Sequence, residues 1–227
     1  MICVSESTRK DLLDLVDVDP GKVHVIHHGF EHVGTAEAPS SAENAMLAKL
    51  VGDPYLLYVG ARHSYKNFEG FLRGLVKAGL HREVRVIAFG GGSLTPHEMA
   101  LIRSLGFPEG QIVQLGGSDS MLRALFREAR AFVYPSLYEG FGFPPLEAMA
   151  QSCPVISSNA SSMPEVIGDA AEFFDPTDTE SMALAILSVV NSRGRREELI
   201  ELGHRRLAIF SWKKCAKETL AIYQNLI

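Results

Sequence analysis

Ala131-Phe-Val-Tyr-Pro-Ser-Leu-Tyr-Glu-Gly-Phe-Gly-Phe-Pro-Pro-Leu-Glu-Ala-Met-Ala150 reads as a strand, a loop and a helix in immediate succession. Ala131–Tyr134 is a short apolar run of strand length. The paired prolines suit a helix's first turn, so Glu147 is expected near that helix's N-terminus. The amides of a helix start favour an anion, and a carboxylate beside them can accept hydrogen bonds from both hydroxyls of a vicinal diol. Glu139 stands eight residues earlier, in a Gly-Phe-Gly loop whose backbone is free to approach a ligand. The plainer alternative is a capping glutamate and a solvated loop acid. Two acids, two glycines and two prolines at one strand end favour the ligand reading.

Working outward, the same pattern repeats. Apolar runs at Tyr55–Val59, Val84–Phe89, Ile112–Leu115, Pro154–Ser157 and Ala171–Phe174 alternate with helical stretches such as Asn67–Ala78, Pro96–Leu105 and Met121–Ala129. Near-continuous apolar strands separated by helices predict an α/β fold: a Rossmann-like parallel sheet with helices on both faces. In such sheets ligands bind beyond the carboxyl ends of the strands, so the residues following each strand carry the information. Gly60-Ala-Arg62-His-Ser-Tyr-Lys66 follows the first strand. A guanidinium fork and an ammonium there suit a diphosphate, or equally form a pair of solvated loop cations. Gly90-Gly-Gly-Ser93 follows the second strand and allows close backbone approach. It fails the dinucleotide fingerprint, because Thr95 occupies the third glycine's place, and it lacks the Gly-Lys-Ser/Thr of a phosphate-binding Walker loop.

The flanks are different. Residues 1–33 hold two short strands, Ile2–Val4 and Val23–Ile26, around an amphipathic helix, too little for a core of their own. Residues 34–54 are expected to be a linker, with a small, polar stretch at Gly34–Asn44. Residues 55–210 form the sheet domain, and 211–227 a last helix with Ser211 as N-cap.

The net charge of −5 argues against a general nucleic-acid or anionic-membrane binder. Three scattered cysteines, no apolar run long enough to span a bilayer and no leader pattern are expected of a soluble cytoplasmic protein.

Glu139 and Glu147, in Glu-Gly-Phe-Gly-Phe-Pro-Pro-Leu-Glu, resemble the EX7E signature of retaining GT-B glycosyltransferases of family 4. The likeness extends to Val4-Ser-Glu6, Val25-Ile-His-His-Gly29, Tyr58-Val-Gly60 with Arg62 and Lys66, Pro154-Val-Ile-Ser157 and Met163-Pro-Glu-Val166. The resemblance implies the donor-binding, C-terminal half of that fold. Arg62 and Lys66 would take the diphosphate of a nucleoside-diphosphate sugar and Glu147 the ribose. Glu139 with Gly140, Phe141 and Gly142 would take the sugar, with Gly60 and Gly90 as close backbone approaches. The Ala160–Glu165 loop would line the same cleft. Glu139, Arg62 and Lys66 are then the expected catalytic set, and leaving-group charge is met by cations and amides with no metal or other cofactor expected.

The likeness to bacterial polysaccharide mannosyltransferases suggests GDP-mannose as donor. The family's N-terminal domain binds the acceptor, a glycan or lipid-linked molecule, and here only residues 1–33 resemble its end. That implies an incomplete enzyme, a split subunit or a degenerate copy. Three readings follow: a retaining hexosyltransferase, a non-catalytic nucleotide-sugar-binding subunit, or half of a GT-B epimerase. In a complete enzyme, peripheral membrane association would fit. The apolar face of the last helix (Trp212, Leu220, Tyr223) is expected to repack, fray or form a homodimer contact.

Other features are set aside. His24, His27, His28 and His32 cluster without an acidic or cysteine partner at metal spacing. Asp17-Val-Asp19 ends a helix instead of following a strand, no Gly-x-Ser-x-Gly elbow exists, and Met182–Val190 is a core-facing helix stripe.

Overall fold

The computed structural model describes residues 1–31, 38–50 and 52–224. Its centre is a six-stranded, fully parallel sheet: β3 (Tyr55–Val59), β4 (Arg85–Phe89), β5 (Ile112–Leu115), β6 (Ala131–Tyr134), β7 (Val155–Ser158) and β8 (Ala171–Phe174), in the spatial order β5-β4-β3-β6-β7-β8. The order reverses between β3 and β6, which pair through Leu56 with Ala131 and Leu57 with Phe132. A doubly wound sheet opens its ligand crevice at such a reversal.

The strands are mostly apolar because both faces are covered. Leu57, Ile87, Phe132 and Val155 face α5 (Asp119–Glu128), α6 (Phe143–Ala150) and α7 (Met163–Ile167). Leu56, Val86, Val133 and Ile156 face α3 (Phe68–Lys77) and α8 (Thr179–Asn191), whose Met182, Ile186 and Val189 make up the stripe expected to be core. Two further helices complete the shell: α4 (Pro96–Ser104), opened by a reciprocal Thr95–Glu98 capping box, and α9 (Arg193–Leu207).

Residues 41–50, expected to belong to a linker, form helix α2 (Ser41–Leu50). Its start is a reciprocal cap in which the Ser40 amide donates to Glu43 and the Glu43 amide donates to the Ser40 hydroxyl. Glu43 also accepts from the Ser118 amide and hydroxyl at 2.9 and 2.7 Å, and Leu50 is buried in the sheet's core. The domain therefore begins before residue 55. Residues 32–37 and 51 of the expected linker, His32, and residues 225–227 of the last helix lie outside the described residues.

The N-terminal segment is β1 (Ile2–Cys3), α1 (Glu6–Leu15) and β2 (His24–Val25), with β1 and β2 paired in parallel. Lacking a core of its own, it leans on the sheet domain. Gly29 lies so close to the Ser211–Trp212 backbone that an added Cβ would sit 2.1 Å from the Trp212 nitrogen. Helix α10 (Trp212–Gln224) starts at that contact, and the Lys214 amide donates to the Ser211 hydroxyl. Leu220 and Tyr223 further along α10 are exposed.

Candidate functional site

The loops leaving β3 and β6 meet at the crevice. Asn67, held at φ 53°, donates from its side-chain amide to the carbonyls of Pro135 and Pro176 at 3.1 and 3.0 Å. The Leu137 amide donates to Tyr65 O at 2.7 Å, and the buried Tyr58 hydroxyl donates to Ala61 O. These bonds fix Lys66 against the β6 loop. Its Nζ lies 2.7 Å from Glu139 Oε1, with the rings of Tyr65 and Tyr134 at 5.2 and 5.7 Å. Both members of this pair are largely, but not fully, covered, so an incoming anion can compete for the ammonium.

The backbone beyond Glu139 has its carbonyls and amides differently engaged. The carbonyls of Glu139, Gly140 and Phe141 each accept a hydrogen bond from a protein hydroxyl. Among the described residues, the amides of Gly140, Phe141 and Gly142 donate to no protein acceptor. Gly142, at φ 92°, is the N-cap of α6; Phe143 takes the first helical position, and Pro144 and Pro145, which carry no N–H, take the next two.

Glu147 departs from expectation in position. Helix α6 starts at Phe143, ahead of the prolines, which puts Glu147 in the second turn instead of at the N-terminus. It opens onto a pocket of about 320 Å3 that it shares with Asp119, Arg123, Phe143, Phe30 and Trp212. Burial, and secondarily the charge of Asp119, hold its carboxyl above the ordinary carboxylate range. Asp119 opens α5 just beyond β5, so the rule that informative residues follow strands would have found it.

Arg62 is placed differently from Lys66. It is buried, and its Nε donates to Glu98 at 2.8 Å. Nη1 donates to Gly90 O at 2.8 Å, and Nη2 donates to Gly91, Gly92 and Ser93 carbonyls at 3.4, 2.9 and 3.0 Å. The Gly90–Ser93 turn has three successive glycines at φ 87°, 70° and 72° and curls its carbonyls around the guanidinium. These bonds engage Nε and Nη2, and Arg62 also lines a cleft with His63, Asn67 and Glu98. Sequence reasoning joined Arg62 to Lys66; the structure joins it to Gly90 instead. Gly60, at φ 120°, donates its amide to Phe89 O and lies beside Gly90.

The Ala160–Glu165 stretch divides its attention. Ser161 and Ser162 contact the Glu139 loop, whereas Glu165 turns to the N-terminal segment and accepts from the amides of Glu6 and Ser7 and contacts His27 at 2.6 Å. His28 packs on Phe141, Phe143 and Trp212. The histidines of the Val25–Gly29 turn thus have packing roles, and among the described residues no three potential metal ligands gather. No described helix is long and apolar enough to cross a membrane.

With this geometry in view, the comparisons with known proteins agree on kinship. An Escherichia coli O-antigen chain mannosyltransferase B is 35% identical over 181 residues, covering 78% of this chain and 48% of that protein. The MMP alpha-(1->4)-mannosyltransferase of Mycolicibacterium hassiacum is 27% identical over 231 residues, covering 100% and 54%. The chain thus spans about half the length of the curated relatives it matches. A glycosyltransferase from Rickettsia africae superposes with a TM-score of 0.81 at 21% identity, covering 99% of this chain and 62% of the other. A sucrose-phosphate synthase from Thermosynechococcus elongatus gives 0.78 at 23%, covering 99% and 57%. At those identities the likeness speaks for the fold. Residues 41–206, from the start of α2 nearly to the end of α9, match the family described as Glycosyl transferases group 1, and the chain belongs to it.

Proposed function

We propose that this chain binds a nucleoside-diphosphate hexose, GDP-mannose in our reading, and holds it for transfer with retention at the anomeric carbon; mannose is the sugar that the relatives' names favour. The observation that carries it is the Lys66–Glu139 pair set beside three free loop amides at the sheet's reversal point. An ammonium and a row of N–H groups stabilise charge that grows on a departing diphosphate, with no protein-held metal called for. Glu147, without a protein hydrogen-bond partner among the described residues, faces a pocket of nucleoside size and is the group for the ribose diol. Glu139 orients the sugar once Lys66 turns to phosphate. Arg62 supports the site by shaping the Gly90–Ser93 turn.

Transfer also needs an acceptor held close to the anomeric carbon, because proximity of that kind is a large part of the rate. A second reading is a donor-binding module that depends on a further domain or polypeptide for the acceptor, a glycan or a lipid-linked saccharide. A calorimetric screen of GDP-, UDP- and ADP-sugars tests the first claim, and silence toward all of them would remove it. Assaying sugar transfer by the chain alone separates the two readings: an enzyme-like rate supports the transferase, and donor binding without transfer supports the module.

A further inference from the structure

The Glu139–Gly142 loop has no secondary structure to hold it, and two of its four residues are glycines, the residue type with most freedom to lose. Its order comes from three carbonyls. Ser162 Oγ, fully buried, donates to Glu139 O at 2.8 Å and, as a shared bond, lies 3.3 Å from Phe141 O. The fully buried Ser5 Oγ donates to Gly140 O at 2.7 Å, and Thr8 Oγ1 supports the same oxygen at 3.2 Å. In a planar trans peptide the C=O and the following N–H point in opposite directions. Holding the carbonyls of residues 139, 140 and 141 therefore aims the amides of Gly140, Phe141 and Gly142 away from the hydroxyls.

We propose that Ser162, seconded by Ser5 and Thr8, is a positioning residue that turns this amide row outward toward the donor's phosphate. The proposal rests on reading the site as one for a nucleoside diphosphate, and adds what makes it selective. Ser5 and Thr8 belong to the cap and first turn of α1, so the N-terminal segment becomes part of the donor site. Glu165 fastens the same turn by accepting from the Glu6 amide at 2.8 and 2.9 Å. Without these hydroxyls the peptides of the loop can rotate, and the amides lose the orientation that the clamped carbonyls impose on them.

The test titrates GDP, UDP and ADP, each beside its own nucleoside, into wild type, Ser162→Ala, Ser162→Thr and Thr8→Val, with melting curves for each. Ser162→Ala should lower diphosphate affinity about tenfold, the scale of one lost hydrogen bond with an anion at stake, and leave nucleoside affinity unchanged. Ser162→Thr keeps the hydroxyl and should restore binding. Thr8→Val, on a partly exposed helix turn that tolerates it, should show the same selectivity at about threefold. A folded Ser162→Ala that binds diphosphates like wild type, or that loses nucleoside affinity equally, overturns the positioning role. If Ser162→Ala does not fold, an unchanged diphosphate-to-nucleoside ratio in Thr8→Val overturns it instead. A wild type that prefers no diphosphate over its nucleoside defeats the underlying site reading, and that outcome is distinct from the variant results.

Discussion

The Glu139–Gly142 loop and the Gly90–Ser93 turn both follow strands of one parallel sheet, and both are rich in glycine, yet they are held by groups of opposite kinds. Neutral hydroxyls from Ser5, Thr8 and Ser162 hold the first. A buried guanidinium, ion-paired with Glu98, holds the second. The consequence for chemistry is direct. At the first loop the nearby cation, Lys66, has one exchangeable carboxylate partner at the mouth of the crevice. At the second, the cation has become part of the scaffold. Two basic residues four apart after one strand thus have different partners, and spacing alone does not separate them.

The sharpest way to break the comparison is Arg62→Ala. It strands a largely buried Glu98 and leaves several carbonyls without a donor, so a loss of about 3 kcal/mol in unfolding free energy is expected. Arg62→Lys should recover little of that, since one ammonium cannot reproduce a planar fork spread over Glu98 and the turn. Denaturant melts check both, and a stable Arg62→Ala that loses only diphosphate affinity would make Arg62 a ligand after all.

Lys66→Ala is the mirror experiment. Its fold should survive, while affinity for a nucleoside diphosphate falls by about 1.5–3 kcal/mol and nucleoside affinity holds. Added salt should imitate part of that loss. A chelator should leave donor binding intact. Equal losses for nucleoside and diphosphate would show that Lys66 acts through the fold.

Glu147 belongs to neither clamp, and its burial beside Asp119 carries a cost for the ionised form. Burial and Asp119 raise its carboxyl above the usual range, so the folded state disfavours the ionised form. Stability from this group is therefore greatest below the ordinary carboxylate range and declines as pH rises through the raised folded value. Glu147→Gln should melt higher than wild type at pH 7, with the gap closing as pH falls through and below the ordinary carboxylate range. The same variant should lose about 1.5 kcal/mol of nucleotide affinity. A variant that gains stability without losing affinity would take the ribose away from Glu147.

These contrasts mark what the sequence could tell. Strands covered on both faces are written as mostly apolar runs, so Tyr55–Val59, Ile112–Leu115, Ala131–Tyr134 and Ala171–Phe174 coincide with their observed limits despite Gln114 and Glu172. The strand-following loops bearing Lys66 and Glu139 were legible for the same reason. Helix α2 was not, because its small, polar residues carry a weak apolar stripe; the Ser40–Glu43 capping pair was the signal available. Glu147's depth depended on α6 starting at Phe143, one residue before the prolines, with Gly142 as its cap. Arg62's partner lies 28 residues away in a turn whose carbonyls converge only in three dimensions. Ser162 lies in the Ala160–Glu165 loop expected at the cleft, but its hold on the Glu139 and Phe141 carbonyls is formed only in three dimensions.

The smallest expected effect tests whether the two loops need their glycines for the same reason. Gly91 lies at φ 70°, and a Cβ there would fall 2.8 Å from both Arg62 Nη1 and Gly60 O, so alanine is excluded by conformation and by space. Gly140 has no positive φ, and its added Cβ would meet Thr8 Oγ1 at 3.7 Å, an ordinary contact. Gly140→Ala should therefore shift stability by no more than about 0.5 kcal/mol. It should also leave diphosphate affinity nearly intact, because the Gly140 carbonyl stays on Ser5 and the amide row keeps its direction. Gly91→Ala should be clearly destabilising in the same melts. If Gly140→Ala instead abolishes diphosphate binding in a folded protein, the loop requires glycine for close approach of the ligand itself, and the hydroxyl clamp is not what orders it.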